Sequence, residues 1–174
     1  MCNKPPLRVE RGAGGEVYIM RSNILNTIIS DLTRITIANG YNHNSPAASK
    51  YHSTLDDISI APKIVVQCAS QFSTPTEAGL DTTLKININT HISVNNDIDK
   101  SGKLTEETEK WIEDYTKFFT HPSCSGTDPL KISTLWKLEG VSYYFISAIE
   151  PFNDRNDNRH TVSIELTINY IIIT

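Results

Sequence analysis

The stretch "LDTTLKININTHISV", residues 80–94, decides the fold of this 174-residue chain. Its apolar side chains occupy every second position, at Leu84, Ile86, Ile88, Ile92 and Val94, with Thr90 in the remaining slot. The positions between them are polar, at Lys85, Asn87, Asn89 and Ser93. Successive side chains of a β-strand point to opposite faces of the sheet. The alternation therefore predicts a strand with one face in the core and the other face half polar.

Three further segments have the residue types or the alternation of strands. Residues 63–70, "KIVVQCAS", predict a short strand with Cys68 as a small buried side chain, and "TPTEAG" at 74–79 predicts a turn. Two long strands close the chain, "LEGVSYYFISAIEPF" at 138–152 and "HTVSIELTINYIIIT" at 160–174. The charged residues 153–159 between them predict a hairpin tip, which is either solvated or a partner contact.

Two segments have helical periodicity. Residues 22–38, "SNILNTIISDLTRITIA", place apolar side chains at spacings of one, three and four, with Ser22 as the N-cap and Asn39-Gly40 as the stop. Residues 105–120, "TEETEKWIEDYTKFFT", have an aromatic stripe that begins at Trp111. The opposite face of this second helix carries Glu106, Glu109, Glu113 and Lys117, and it either lines a lumen or is solvated.

These elements predict an α+β fold, in which two helices pack on one face of a mostly antiparallel sheet. We expect a single domain over residues 21–174. Residues 1–20 contain two prolines and three glycines without a sustained period, so they predict a flexible N-terminal arm.

Composition restricts the classes of function. The net charge of −4 and the absence of long runs of like charge argue against nucleic-acid binding as the main activity. Three cysteines without a CxxC spacing favour neither a disulfide framework nor a zinc site. The sequence has no signal peptide and no long apolar span, which predicts a soluble protein made in a reducing cytoplasm.

Motifs for catalysis and cofactors do not occur in the sequence. HExxH, GxSxG, GxGxxG and the phosphate-binding P-loop are absent, so we expect no enzyme, no catalytic residue and no cofactor. The segment "DIDKSGKLTEET", residues 97–108, resembles a calcium loop, but position 12 is Thr108 and a strand precedes it. The alternatives are a weak calcium site and a simple strand-to-helix turn, and we predict no metal site.

The last predicted strand gives candidate interface residues. Ile171 and Ile173 add apolar side chains to the face that is polar upstream, so this end of the strand is apolar on both faces. Burial against a neighbouring subunit explains this pattern, and cover by the N-terminal arm is the alternative. Arg8 and Arg11 in the arm, with Arg155 and Arg159 at the hairpin tip, complete the set of candidate contacts.

The order of these elements resembles the small tail-terminator and tail-completion proteins of long-tailed bacteriophages. The resemblance covers residues 20–174 and includes "NGYN" at 39–42 and the closing "SAIEPFNDRNDNRHTVSIELTINY" hairpin at 147–170. It implies a tail-tube-like fold in a homohexameric ring on the last ring of tail tube protein. In this role the ring ends tube polymerisation, meets the head-side connector and lets DNA pass without specific binding.

The resemblance therefore predicts a virion structural protein located in the tail or neck. A head-completion or neck connector protein of the head–tail junction is the first alternative, and a binding module outside virions is the second.

Overall fold

The computed structural model describes residues 21–49, 62–77, 79–93, 103–120, 128–154 and 159–172. The helices and strands of these residues are α1 Arg21–Leu32, β1 Ala48–Ser49, β2 Lys63–Thr76, β3 Gly79–Ser93, α2 Lys103–Phe118, β4 Val141–Asp154 and β5 Arg159–Ile172. Short 3-10 turns occur at Ile37–Asn39, Pro129–Lys131 and Leu135–Lys137. The predicted arm, residues 1–20, lies outside the described residues, as do residues 97–102 of the calcium-like segment and the hairpin tip at 155–158.

The described strands form one sheet with the order β1-β2-β3-β5-β4. The four long strands pair antiparallel, and only the two-residue strand β1 is parallel to its neighbour β2. The last strand, β5, lies between β3 and β4, and its register with β3 runs from Leu80 opposite Ile172 to Ser93 opposite Arg159. The predicted α+β fold is confirmed.

Both helices pack on one face of the sheet, which we call the inner face. The alternation predicted for β3 is confirmed, because Leu84, Ile86 and Ile88 are fully buried. They join a core with inner-face residues of β5 and with the stripes of both helices, including Ile24, Ile28, Trp111, Tyr115, Phe118, Ile164 and Leu166. Thr90 takes the predicted inner slot, and its hydroxyl forms a buried hydrogen bond with the Tyr115 hydroxyl of α2.

Two buried carboxylates connect the helices to the segments between elements. Asp31 of α1 accepts hydrogen bonds from the Ser133 and Thr134 hydroxyls, each at 2.9 Å, and from the Thr134 backbone N–H. Asp114 of α2 is also buried and binds the segment that follows α1. Helix α1 therefore anchors the segment that follows α2, and helix α2 anchors the segment that follows α1.

Helix α1 ends at Leu32, so the prediction that it continues to residue 38 is wrong. The Thr33 hydroxyl donates to the Ser30 carbonyl at 2.6 Å, and Ile35 N–H bonds to the Leu32 carbonyl, three residues back. Thr36 is extended and its side chain accepts from Asn39 N–H. β-Branched residues and hydroxyl capping both compete with helix continuation here. Asn39-Gly40 does supply the predicted stop, with Gly40 at φ 84°, but it ends the short 3-10 turn.

Other predicted boundaries also need correction, among them the hairpin tip at 153–159, since β4 continues to Asp154 and β5 begins at Arg159. Strand β2 continues to Thr76, so residues 74–76 of the predicted turn are strand. Strand β4 begins at Val141, because a 3-10 turn and Gly140 at φ 82° precede it. Helix α2 begins at Lys103, two residues before its predicted start. Cys68 is half-buried, not buried, and lies beside a bulge between Cys68 and Ser70.

Alanine at Ile164 tests the inner face of the sheet. Ile164 is fully buried on β5, between Ile88 of β3 and Ile149 of β4. We expect Ile164→Ala to lower the free energy of unfolding by about 2–5 kcal/mol, because it removes buried methyl groups and leaves a cavity. Urea denaturation measures the change. Ser163→Ala, the adjacent position on the other face, is the control and should change stability by no more than about 0.5 kcal/mol. Equal effects of the two substitutions would contradict this assignment of the faces.

Candidate interface on the outer face of the sheet

The sheet face opposite the helices, the outer face, is polar over most of its length. Asn87 and Asn89 of β3 lie beside Glu165 and Ser163 of β5, and all four are partly exposed. At one end of this face the character changes, because four large apolar side chains are exposed there. We define the outer apolar patch as Phe72, Tyr143, Phe145 and Ile171.

Cross-strand pairing places all four residues of the patch on the same face. Phe72 is opposite Thr83, Thr83 is opposite Asn169, and Asn169 is opposite Tyr143, so these positions form one row across four strands. Three strand spacings separate the backbones of Phe72 and Tyr143 by about 14 Å. Phe145 and Ile171 belong to the rows on either side, opposite Thr167 and Asp81 respectively.

The aromatic side chains of β4 carry most of the patch. Tyr143 and Phe145 stack with ring centroids 6.1 Å apart, and they remain 48% and 46% exposed. Phe72 on β2 is 71% exposed. A fold does not gain stability from aromatic surface left in water, and clustered exposed apolar side chains mark contact sites.

Strand β4 is also an edge of the sheet. Among the described strands it pairs only with β5, so the backbone groups on its other side have no strand partner within the described part of the chain. An edge strand next to exposed aromatic residues is a place where another chain can add contacts. The patch and this edge are continuous, because Tyr143 and Phe145 belong to both.

The structure places the predicted interface residues as follows. Ile171 is 39% exposed at the outer apolar patch, opposite Asp81 of β3, and its burial by a neighbouring subunit stays a prediction. Arg159 begins β5 opposite Ser93 and Asp154, and its side chain is not described. Arg8, Arg11, Arg155 and Ile173 lie outside the described residues.

Sequence reasoning missed Phe72, Tyr143 and Phe145. A signal was present in "SYYFIS", residues 142–147, where aromatic residues at 143 and 145 flank the buried Tyr144. Period-two alternation assigns the residues at 143 and 145 to the face opposite Tyr144. Phe72 had a weaker signal, because the strand around it was predicted to end at residue 70.

An ion pair separates the patch from the polar part of the outer face. Lys85 Nζ donates to Glu165 Oε1 at 2.9 Å, and the Ser147 hydroxyl donates to the same oxygen at 2.7 Å. The Ser147 hydrogen bond, followed by that from Lys85, lowers the pKa of Glu165 from its ordinary value. The carboxylate is therefore favoured in the folded chain.

The charged face of α2 is only partly solvated. Glu106, Glu109 and Glu113 are exposed in the single chain, as both a lumen lining and a solvated face require. Lys117 instead donates from Nζ to the Gly40 carbonyl at 2.6 Å and lies 4.9 Å from the centre of the Tyr41 ring. That lysine holds the segment after α1 against α2.

The described residues bear on two other kinds of site. No group of three or more His, Cys, Asp or Glu side chains among them is arranged to hold a metal ion. Within the same part of the chain, no helix is long and apolar enough to cross a membrane.

Comparison with models of known protein families finds no match, and comparison with curated proteins finds none either.

Glutamine at Glu165 tests the ion pair by its pH dependence. Because the folded-state pKa is lowered, the stabilisation is present above the unfolded pKa and is lost as pH falls through the folded pKa. We expect Glu165→Gln to lower the free energy of unfolding at pH 7 by no more than about 1 kcal/mol, since the pair is partly exposed and screened. The difference from wild type should shrink as pH falls below about 4.3, the ordinary pKa of glutamate, and should vanish once pH is below the lowered folded-state pKa.

Urea denaturation at several pH values measures this difference. Glu109→Gln on the exposed face of α2 is the matched control, and it should show no such convergence. If Glu165→Gln lowers the free energy of unfolding equally at acid and neutral pH, the stabilising role given to the Lys85–Glu165 ion pair is wrong.

Proposed function

We propose that the chain is a structural subunit of the tail of a long-tailed bacteriophage, a tail terminator that caps the tail tube as a ring of identical copies. The observation that carries the proposal is the outer apolar patch beside β4, which is an edge strand among the described strands. In this proposal the contacts, and not any catalytic residue or cofactor, perform the function. The ring is taken as hexameric from the resemblance in element order.

The patch supports self-assembly because its side chains gain stability only when another surface covers them. Fully burying one such side chain contributes about 1.5–3 kcal/mol. Polar residues lie among and beside the patch residues, and the exposed Asp81, opposite Ile171, can hydrogen-bond across an interface. An apolar centre with a polar rim is the usual anatomy of protein–protein contacts.

A ring requires that each copy offer two different surfaces, one to each neighbour. The patch lies on the outer face at one end of the sheet, and the helices lie on the opposite face. The two faces of the chain therefore differ in shape and chemistry. This asymmetry supports a head-to-tail contact, in which the patch of one copy meets a different surface of the next.

The tail-tube surface and the head-side connector are the further partners of the proposed ring. The net charge of −4 supports a channel that lets DNA pass without holding its phosphates.

Serine substitutions in the patch test the proposed self-assembly. We expect wild type to form a discrete oligomer at high concentration, alone or with tail tube protein. Tyr143→Ser combined with Phe145→Ser should shift it to the monomer without lowering its thermal stability by more than a few degrees. Static light scattering and mass photometry measure the assembly, and calorimetry measures the stability.

Leu130→Ser is the matched control, because Leu130 is 74% exposed but lies on a 3-10 turn away from the sheet. It should leave the oligomer intact. A wild-type chain that stays monomeric at every concentration, and never joins tubes, would reject the proposal.

Loss of the protein during infection distinguishes the terminator from the neck connector. We expect phage lacking it to make overlong tails, since nothing ends tube polymerisation. Electron microscopy of the lysate measures tail length. Tails of normal length beside unattached heads would indicate the neck connector instead, and normal particles would indicate a function outside the virion.

A further inference from the structure

The imidazole ring of His43 lies between two carboxylates of α2. Its Nδ1 is 2.8 Å from Asp114 Oδ2, and its Nε2 is 2.8 Å from Glu107 Oε1. The ring also stacks flat on Trp111, with centroids 4.1 Å apart and planes 4° from parallel. The His43 side chain is 13% exposed, so water has little access to the ring.

Asp114 is fixed as an acceptor by its other contacts. It is 1% exposed, and its Oδ1 accepts from the Asn42 backbone N–H at 2.8 Å and from Asn42 Nδ2 at 3.0 Å. Its Oδ2 accepts from the His43 backbone N–H at 3.1 Å. Both oxygens of this carboxylate therefore already act as hydrogen-bond acceptors.

Both ring nitrogens of His43 therefore have to donate. A neutral imidazole carries one N–H and one bare lone pair, whereas the imidazolium carries two N–H groups. Only the imidazolium satisfies the carboxylates on both sides at these distances.

We propose that His43 is a pH-sensitive clasp, which holds the segment after α1 against α2 while the ring is protonated and releases Glu107 when the ring loses a proton. The remaining ring proton stays on Nδ1, because Asp114 is buried and has no access to replacement water. Glu107 is the contact that opens, because its side chain is 40% exposed and can be hydrated instead. The clasp is strongest on the acid side and weakens as pH rises.

The other charged groups around the clasp come from the same two elements. Glu113 Oε2 accepts from Asn42 Nδ2 at 3.1 Å, which adds a third acid on the α2 side. Lys110, also on α2, has its ammonium 2.6 Å from Glu106 Oε1. Lys117 of the same helix donates to the Gly40 carbonyl of the segment after α1. On that segment, Arg34 pairs with Asp31 at 3.4 Å.

Release of Glu107 loosens only part of the segment. Lys117 still holds the Gly40 carbonyl, and Asp114 still holds Asn42 and His43 through their backbone N–H groups. The expected change is therefore local opening at His43 and Trp111, without unfolding of the chain.

Nitrogen NMR of ¹⁵N-histidine-labelled wild type tests the proposal directly. Between about pH 5 and pH 9 we expect the His43 signals to change from two protonated ring nitrogens to one, with the proton retained on Nδ1. The signal is assigned by its absence in His43→Gln. Retention of the proton on Nε2, or a ring that is neutral at pH 5, would overturn the proposal.

Glu107→Gln provides a second and independent test. The glutamine side chain can donate to a neutral Nε2 or accept from a protonated one, so the contact should survive at every pH. We expect the wild-type melting temperature to fall between pH 5 and pH 9 by about 2–4 °C more than that of Glu107→Gln, as for a change in one hydrogen-bonded charge pair. His91→Gln is the matched control, since His91 bonds to Thr161 on the outer face, and it should keep the wild-type pH dependence.

If the melting temperatures of Glu107→Gln and wild type fall in parallel as pH rises, the proposal of a pH-sensitive clasp is wrong. The same conclusion follows if His91→Gln removes the pH dependence as completely as His43→Gln. None of these measurements depends on assembly, so failure of the clasp and failure of the proposed ring can be told apart.

Discussion

Both helices cover the same face of the sheet, and the rest of the structure follows from this one-sided packing. The central strands β3 and β5 supply the helix-covered face with isoleucine and leucine at alternate positions, and Leu84, Ile86 and Ile88 of that row are fully buried. On the other face, cross-strand contacts such as Lys85–Glu165 and His91–Thr161 join the strands. Where those polar contacts end, aromatic side chains begin, and there the sheet has surface that another molecule can cover.

The two helices are joined by a reciprocal arrangement of buried acids. Asp31 of α1 holds the segment between α2 and β4, and Asp114 of α2 holds the segment after α1. Each buried carboxylate collects backbone and side-chain donors that would otherwise be unpaired, and an unpaired buried donor destabilises a fold by about 1–3 kcal/mol. The connections therefore take a defined path over the helix layer, although they have little regular structure.

Local periodicity predicted the layers because alternation and helical spacing are properties of neighbouring residues. The buried rows of β3 and β5 and the apolar stripes of both helices were readable from "LKININ" and "WIEDYTKFF" alone. The anchoring acids were not readable, because Asp31 and Ser133 are 102 positions apart, and His43 and Asp114 are 71 apart. The exact end of α1 also escaped prediction, since Thr33 and Thr36 could serve either a helix or a cap. For the candidate interface, the sequence indicated Ile171 but not its aromatic neighbours, whose exposure depends on the helices lying on the other side.

The position of β5 in the sheet has a consequence for how the chain folds as it is synthesised. Strands β2 and β3 are adjacent in sequence and can pair as soon as both have left the ribosome. Strand β4 is made next, but among the described strands its only partner is β5, which comes later. Until β5 emerges and inserts, β4 and one edge of β3 are nascent strands without their native neighbour, and such edges invite mispairing. Completion of the sheet is thus a late, long-range step, and long-range pairing of this kind is slow compared with hairpin formation.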